Sequence, residues 1–387
     1  MGKKVMVAGH TCLDITPVFP KSGKSLRVDE VLCPGKLIQM EGVEIHTGGA
    51  VANTGLAMKI LGAEVCLVGK TGKDAFGSIV AEVFGRYGAA DGILAVEGER
   101  TSYSAVLALP GIDRIFLHDP GANDTFSFED IRSLGEEGLK DVALFHFGYP
   151  PIMKKMYENE GEELLQIMKY MKRHGIATSL DLAAVDTDSA AGAADWKRIL
   201  EKVLPYVDFF VPSIEELCFM LDRPRYEQWH QRAGSRDVAL VLDPEQDIRP
   251  LAEECTRLGA KVILLKCGSP GLYYRTEAAG KLQELAEQTG ICPEDWAGRE
   301  GFEASYVPER VLSGTGAGDT TIAAFLTAML EGYSFRRCIQ LAAAQGACCV
   351  AAYDALSGLL SLKELNEKIE GGWEKNEKET LLQEKGI

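Results

Sequence analysis

Short apolar runs recur along the chain, and most of them stop at a glycine, a proline or an acidic residue. They cover Lys4–Ala8, Val65–Val68, Val142–Phe147, Ile176–Leu180, Phe209–Val211 and Val262–Leu265. Runs that are apolar throughout predict strands covered on both faces. Between them lie stretches with helical spacing: Val51 to Leu61, closed by Gly62, then regions near 161–173 and 196–204, and an Ala-rich run after Gly318. Strand–helix–strand alternation of this kind predicts an α/β fold with a mostly parallel sheet between two helical layers. Two segments break the pattern. Residues 15–47 hold short alternating pieces between Gly and Pro. Thr101–Leu109 and Arg114–Leu117 alternate around Pro110-Gly111-Ile112-Asp113. These predict a small separate sheet.

Chemistry concentrates where apolar runs meet glycines. Tyr306, Val307, Val311 and Leu312 suit a strand, followed by Gly314, Thr315, Gly316, Ala317, Gly318 and Asp319, and then by the buried helix. Free amides and the positive end of a helix dipole converge at such a junction and suit an anion. Asp319 in that first turn is either a carboxylate stabilising the helix or a base that takes a hydroxyl proton during phosphoryl transfer. Gly48-Gly49 opens the Val51 helix and carries Asn53 into its first turns. Asp14 lies in the segment leaving the first strand, where open α/β sheets bind ligands. Ser213 and Glu216 have the spacing of a capping box.

Composition narrows the partners. The net charge is −16 and no basic run is present, which argues against a nucleic-acid or anionic-membrane partner. Ten cysteines lie scattered without a C-x-x-C pair, as expected for reduced thiols in a cytoplasmic protein and not for a zinc site. The N-terminal stretch lacks the apolar region of a signal peptide. Leu341–Leu362 is apolar, but Gln345, Asp354 and many small residues make it a buried helix and not a membrane span.

Gly316-Ala317-Gly318-Asp319 before an Ala-rich helix resembles the G-A-G-D signature of the ribokinase-like (PfkB) carbohydrate kinases. Agreement extends from about Lys4 to Leu362 in the family's motif order: Gly9 with Asp14, Gly48-Gly49 with Asn53, Gly69 to Gly77, Gly121-Ala122-Asn123, and Lys266 to Gly271. The resemblance implies a three-layer ribokinase-like α/β domain over residues 1–372. Lid segments at about 15–47 and 101–120 close over the substrate, and 373–387 is a charged peripheral tail, expected to be helical. It further implies transfer of the γ-phosphoryl of ATP to a hydroxyl of a small sugar or sugar derivative, with Asp319 as base and residues 316–318 as anion hole. Asp14, Gly48, Gly49 and Asn53 then hold the substrate, while Lys266, Gly268, Gly271 and Thr315 serve the nucleotide. Glu216 helps hold Mg²⁺ through water, although Ser213 stands where the family has Asn. A homodimer through the lid is compatible with the same picture.

Alternatives stay open at this stage. A nucleoside kinase shares the fold, and a non-catalytic sugar- or nucleotide-binding protein would share the cleft. A nicotinamide oxidoreductase is disfavoured, because the glycines sit late in the chain without the full G-x-G-x-x-G. Arg223–Gln246 and Thr276–Ala304 are long, polar connections that either cover the nucleotide or bridge subunits. Ser313 stands where the family has an Asp that helps bind potassium, so weak dependence on monovalent cations is expected.

Overall fold

In the computed structural model, which describes residues 3–20, 28, 33–109 and 114–376, the apolar runs lie side by side in a nine-stranded sheet. The strands in chain order are β1 (Lys4–Gly9), β2 (Cys12–Val18), β3 (Gly42–Gly48), β4 (Glu64–Gly72), β5 (Ile93–Val96), β6 (Tyr103–Leu107) and β7 (Ile115–Asp119). They continue with β8 (Val142–Gly148), β9 (Ala177–Leu180), β10 (Phe209–Phe210), β11 (Val262–Lys266), β12 (Gly271–Thr276) and β13 (Glu300–Ala304). The large sheet runs β13-β12-β11-β10-β9-β8-β1-β4-β5, parallel from β11 to β5, with β12 and β13 added antiparallel at one edge.

Burial on both faces explains the unbroken apolar runs. Alternate residues of β1 enter different cores: Val5 and Val7 join one, Met6 and Ala8 the other. Helix α1 (Ala50–Ile60) packs on the Val5 side. On the Met6 side lie α2 (Glu162–Arg173), α3 (Trp196–Val203) and α4 (Ile214–Leu221), and α5 (Ala317–Leu330) with α6 (Phe335–Cys349) returns to the first face. The long polar connections belong to these layers. Trp229 is buried and donates its Nε1–H to Asp247 at 3.0 Å, while Trp296 packs edge-on against Phe209 and Phe335. Neither stretch lines the cleft described below.

The lid strands form a second sheet in the order β3-β2-β6-β7. Its register makes two rows. His46, Asp14, Ser104 and His118 lie across one row, and Ile45, Ile15, Ala105 and Leu117 across the next. Neighbouring rows point to opposite faces, so one face is polar and the other apolar. The Pro110–Asp113 turn lies outside the described residues.

Two expectations are corrected. Tyr306 to Leu312 is not a strand: Tyr306 makes one bridge to Lys375, Val311 is 71% exposed, and Pro308 has no N–H to give a ladder. The start of the tail is not helical either. Trp373 stacks on Tyr306 with centroids 4.8 Å apart and donates to the Val307 carbonyl at 2.7 Å, which holds this piece extended along the surface. Residues 377–387 lie outside the described part. The Leu341–Leu362 stretch is buried helix only as far as Cys349, and no described helix is long and apolar enough to cross a membrane.

Candidate active site

The C-terminal ends of the central strands, the start of α5 and the polar face of the lid enclose a cleft of about 2140 Å³. At its floor, the chain turns through Gly316 at φ 76° and enters α5 without a side-chain cap. A Cβ at Gly316 would stand 2.2 Å from the Ala355 methyl, so the turn needs glycine on two counts. Asp319 is buried in the first turn. Its Oδ2 accepts hydrogen bonds from Asn53 Nδ2 at 3.1 Å and Tyr149 Oη at 2.7 Å, and its Oδ1 accepts from Thr54 Oγ1 at 2.9 Å. All three donors come from outside α5. Helix capping does not describe this geometry; a carboxylate held in one orientation does.

Tyr149 follows the last residue of β8 with φ 67° and ψ 40°, a left-handed conformation that costs a non-glycine residue about 1–2 kcal/mol. Gly148 before it lets β8 pass α1, since a Cβ there would lie 2.1 Å from Ala50 Cβ. Burial, and then the facing Asp319 carboxylate, push the Tyr149 phenol well above its ordinary pKa, so it remains a donor.

Lys266 ends β11 and grips both oxygens of Asp181 at 2.8 and 2.9 Å. Burial alone would lower its pKa, but the facing Asp181, Glu216 and Asp319 carboxylates hold the ammonium above the ordinary lysine value. Its Nζ lies against the loop, 3.4 Å from where a Cβ of Gly318 would be. Gly268 and Gly271 shape the β11–β12 turn with φ 62° and 137°, and neither lines the cleft. Ser213 and Glu216 make the capping box at the start of α4, with Ser213 N–H donating to Glu216 Oε2 at 3.0 Å. Glu216 nevertheless lines the cleft. Thr315 is held from the lid: Arg114 Nη1 donates to its Oγ1, and Arg114 Nη2 donates to the Tyr353 carbonyl at 2.8 Å.

Above the floor stands the polar row of the lid. Asp14 Oδ1 accepts from Cys12 Sγ at 3.4 Å, Ser104 Oγ meets His118 Nδ1 at 3.1 Å, and His118 Nε2 meets His10 Nε2 at 3.3 Å. Burial raises the Asp14 carboxyl above its ordinary pKa and lowers both histidines, His10 strongly. Gly48 and Gly49 run close beneath this wall. A Cβ on Gly48 would come within 2.4 Å of Asp14 Oδ2, and one on Gly49 within 2.5 Å of His10 Nδ1. The glycine pair is therefore needed for close approach, whatever hinge motion it allows.

The pfkB family carbohydrate kinase model matches residues 3–361. This chain belongs to that family. It is an ATP-dependent carbohydrate kinase, with a nearly full-length match. The kinase is similar to ribokinase of Arabidopsis thaliana, 25% identical over 334 residues, which cover 84% of this chain and 72% of the relative. The solved structure of that ribokinase complexed with ribose and ATP superposes with a TM-score of 0.67 at 22% identity, over 95% of this chain and 98% of that one. A nucleoside kinase of Burkholderia thailandensis in complex with inosine reaches 0.64 at 14% identity, with 95% and 98% covered. These two likenesses give the kinase its ribokinase fold.

Sequence reasoning brought Asp319, Asp14, Asn53, Glu216 and Thr315 to this kinase's cleft, and the structure places all five on its lining. Tyr149, Arg114, Asp181 and the His10–His118 pair are not among the residues it selects. Gly148-Tyr149-Pro150-Pro151, an abrupt stop to an apolar strand, was the available signal for Tyr149.

Proposed function

We propose that this kinase transfers the γ-phosphoryl of ATP to a hydroxyl of a small sugar or sugar derivative, with Asp319 as the base. One observation carries the reading: the Asp319 carboxylate is fixed by Asn53, Thr54 and Tyr149 beside the turn at Gly316–Gly318. The acceptor hydroxyl gives its proton to Asp319 as its oxygen attacks phosphorus, and the amides of Gly316, Ala317 and Gly318 offset the charge on the transferring group. Asp14, Asn53 and the backbone at Gly48–Gly49 orient the acceptor. Thr315 faces the phosphates, and Lys266, with Gly268 and Gly271 shaping the turn beyond it, supports the nucleotide side.

Mg²⁺ keeps several waters and takes one or two carboxylates together with phosphate oxygens. Glu216 fits that demand, lining the cleft with one oxygen tied to Ser213, although no described trio of His, Cys, Asp or Glu forms a closed metal site. Bound there, the ion would neutralise phosphate charge. The apolar lid row of Ile45, Ile15, Ala105 and Leu117 suits a second copy of the chain, with Ile45 42% and Leu117 56% exposed.

A nucleoside acceptor is the second reading. Phe19, Phe116 and Tyr157 line the cleft and offer ring faces to a base. ADP release measured across pentoses, hexoses and nucleosides tests both. Turnover of a sugar supports the first reading, and turnover restricted to nucleosides supports the second. ATP binding with no turnover of any acceptor would sink both in favour of a binding protein.

A further inference from the structure

Two of the three groups that donate to Asp319 are hydroxyls: Thr54 Oγ1 on Oδ1 and Tyr149 Oη on Oδ2. They are not equivalent. Thr54 is fully buried and does not line the cleft, whereas Tyr149 does. The hydroxyls of the neighbouring loop are committed elsewhere, Ser313 Oγ to the Thr315 N–H and Thr315 Oγ1 to Arg114. Among the described residues, Tyr149 thus presents the one cleft hydroxyl bonded to the base.

The backbone enforces this placement. Of the four described non-glycine residues with positive φ, Tyr149 alone lines the cleft, and Pro150 and Pro151 fix the chain directly after it. A residue before proline is normally pushed to extended backbone, so φ 67° and ψ 40° are doubly unfavourable here. Strain of this kind persists only where the surrounding structure holds it, and it collects at functional sites. The phenol is carried to a set point, 2.7 Å from Asp319 Oδ2 in the first turn of α5.

That point meets what phosphoryl transfer asks of an acceptor: a protonated oxygen within hydrogen-bond reach of the base, in the cleft that holds the Gly314–Gly316 turn. Burial, and then the Asp319 carboxylate, keep the proton on the phenol until attack begins, as it stays on a sugar hydroxyl. We propose that Tyr149 is itself a phosphoryl acceptor: with ATP bound and no sugar in the cleft, the kinase phosphorylates its own Tyr149. Tyr149 Oη bonds to the γ-phosphorus as the bond to the β–γ bridging oxygen breaks, the phenolic proton passes to Asp319, and ADP leaves. The ester carries a charge of about −2 toward Asp319, Asp181 and Glu216, so the reaction is slow. Once formed, it fills the place of the acceptor hydroxyl and stops turnover. The inference rests on Asp319 as the base, and its test separates the two.

The unaltered kinase is incubated with Mg²⁺ and ATP labelled in its γ-phosphoryl, without any sugar, and the peptide holding Tyr149 is analysed by mass spectrometry as the label is counted. Tyr149 is expected to approach about one phosphoryl per chain, at least about a hundredfold more slowly than sugar turnover, with loss of turnover in step with labelling. The sugar turned over fastest in the panel above, at about ten times its Kd, should slow labelling by about tenfold. Asp319→Asn should slow it by about a hundredfold or more. Labelled Tyr149 with no turnover of any sugar or nucleoside upholds the inference and removes the small-acceptor reading. Unlabelled Tyr149 in a kinase that turns over a sugar, or equal labelling in Asp319→Asn, overturns the inference and leaves that reading standing. Neither label nor turnover overturns both.

Discussion

The two sheets of this kinase use opposite parts of a strand for chemistry. In the nine-stranded sheet helices cover both faces, and mid-strand polar groups such as His146 and Lys70 are buried away from the cleft. Functional groups appear where strands stop: His10 after β1, Tyr149 after β8, Asp181 after β9 and Lys266 at the end of β11. In the four-stranded lid one face is open to the cleft. There the row His46, Asp14, Ser104 and His118 uses the flat of the sheet. The strand ends set separate points; the lid sets a continuous surface.

That contrast can be broken most severely at a strand end. Asp181→Asn is expected to destabilise the fold by about 3–5 kcal/mol, because Lys266 remains as a buried ammonium without its partner. Chemical denaturation reads this, and the double variant Asp181→Leu with Lys266→Met should recover much of the loss. A single variant within about 0.5 kcal/mol of wild type would show the pair to be dispensable. Next comes Asp319→Asn, expected to lower kcat by about a hundredfold or more with ATP affinity kept. Near-normal turnover would return Asp319 to a structural role.

Tyr149→Phe should cost about tenfold in kcat, the scale of one hydrogen bond to a charged group. Turnover within about twofold of wild type would assign Tyr149 to packing.

On the lid, a smaller effect of opposite sign is expected. Burial raises the Asp14 pKa in the folded state, so the folded form holds that proton more tightly than the unfolded chain. Its contribution to stability is present below the unfolded carboxyl value and is lost as pH rises through the folded one. Asp14→Asn should therefore melt higher than wild type at neutral pH, with the advantage vanishing below about pH 4. Acceptor binding should weaken by about 1–3 kcal/mol in the same variant. A variant no more stable at pH 7 would mean the carboxylate is well solvated. Smallest of all is the response to potassium: Ser313 Oγ already accepts the Thr315 N–H at 3.0 Å and carries no charge. Turnover should change by less than about twofold when KCl replaces a bulky organic cation at constant ionic strength.

The same contrast explains what could be read in advance. Strand ends are written in sequence as an apolar run followed by glycine, so Gly316 to Asp319 and the Gly48–Gly49 turn could be recognised from the chain alone. Asp319's three donors could not. Asn53 and Thr54 come from α1 and Tyr149 from the end of β8, and only the packing of α1 against α5 brings them together. Lid rows are harder still, because a one-residue slip in pairing exchanges the two faces. His118 lies one residue beyond the alternating run Arg114–Leu117, and only the pairing of β7 with β6 sets it beside Ser104. The first residues of the tail misled for another reason: a charged, helix-prone composition gives way at Trp373 to a stack on Tyr306.

Arg114 belongs to the lid, and its partners Thr315 and Tyr353 line the part of the cleft that the proposed reading gives to the phosphates. One side chain thus places the two ligands under a common thermodynamic constraint. If seating the acceptor draws the lid down and with it tightens ATP by some factor, ATP must tighten the acceptor by that same factor. Measured in either order, the four binding constants close a cycle, and the size of their shared factor is the free energy that passes through the lid.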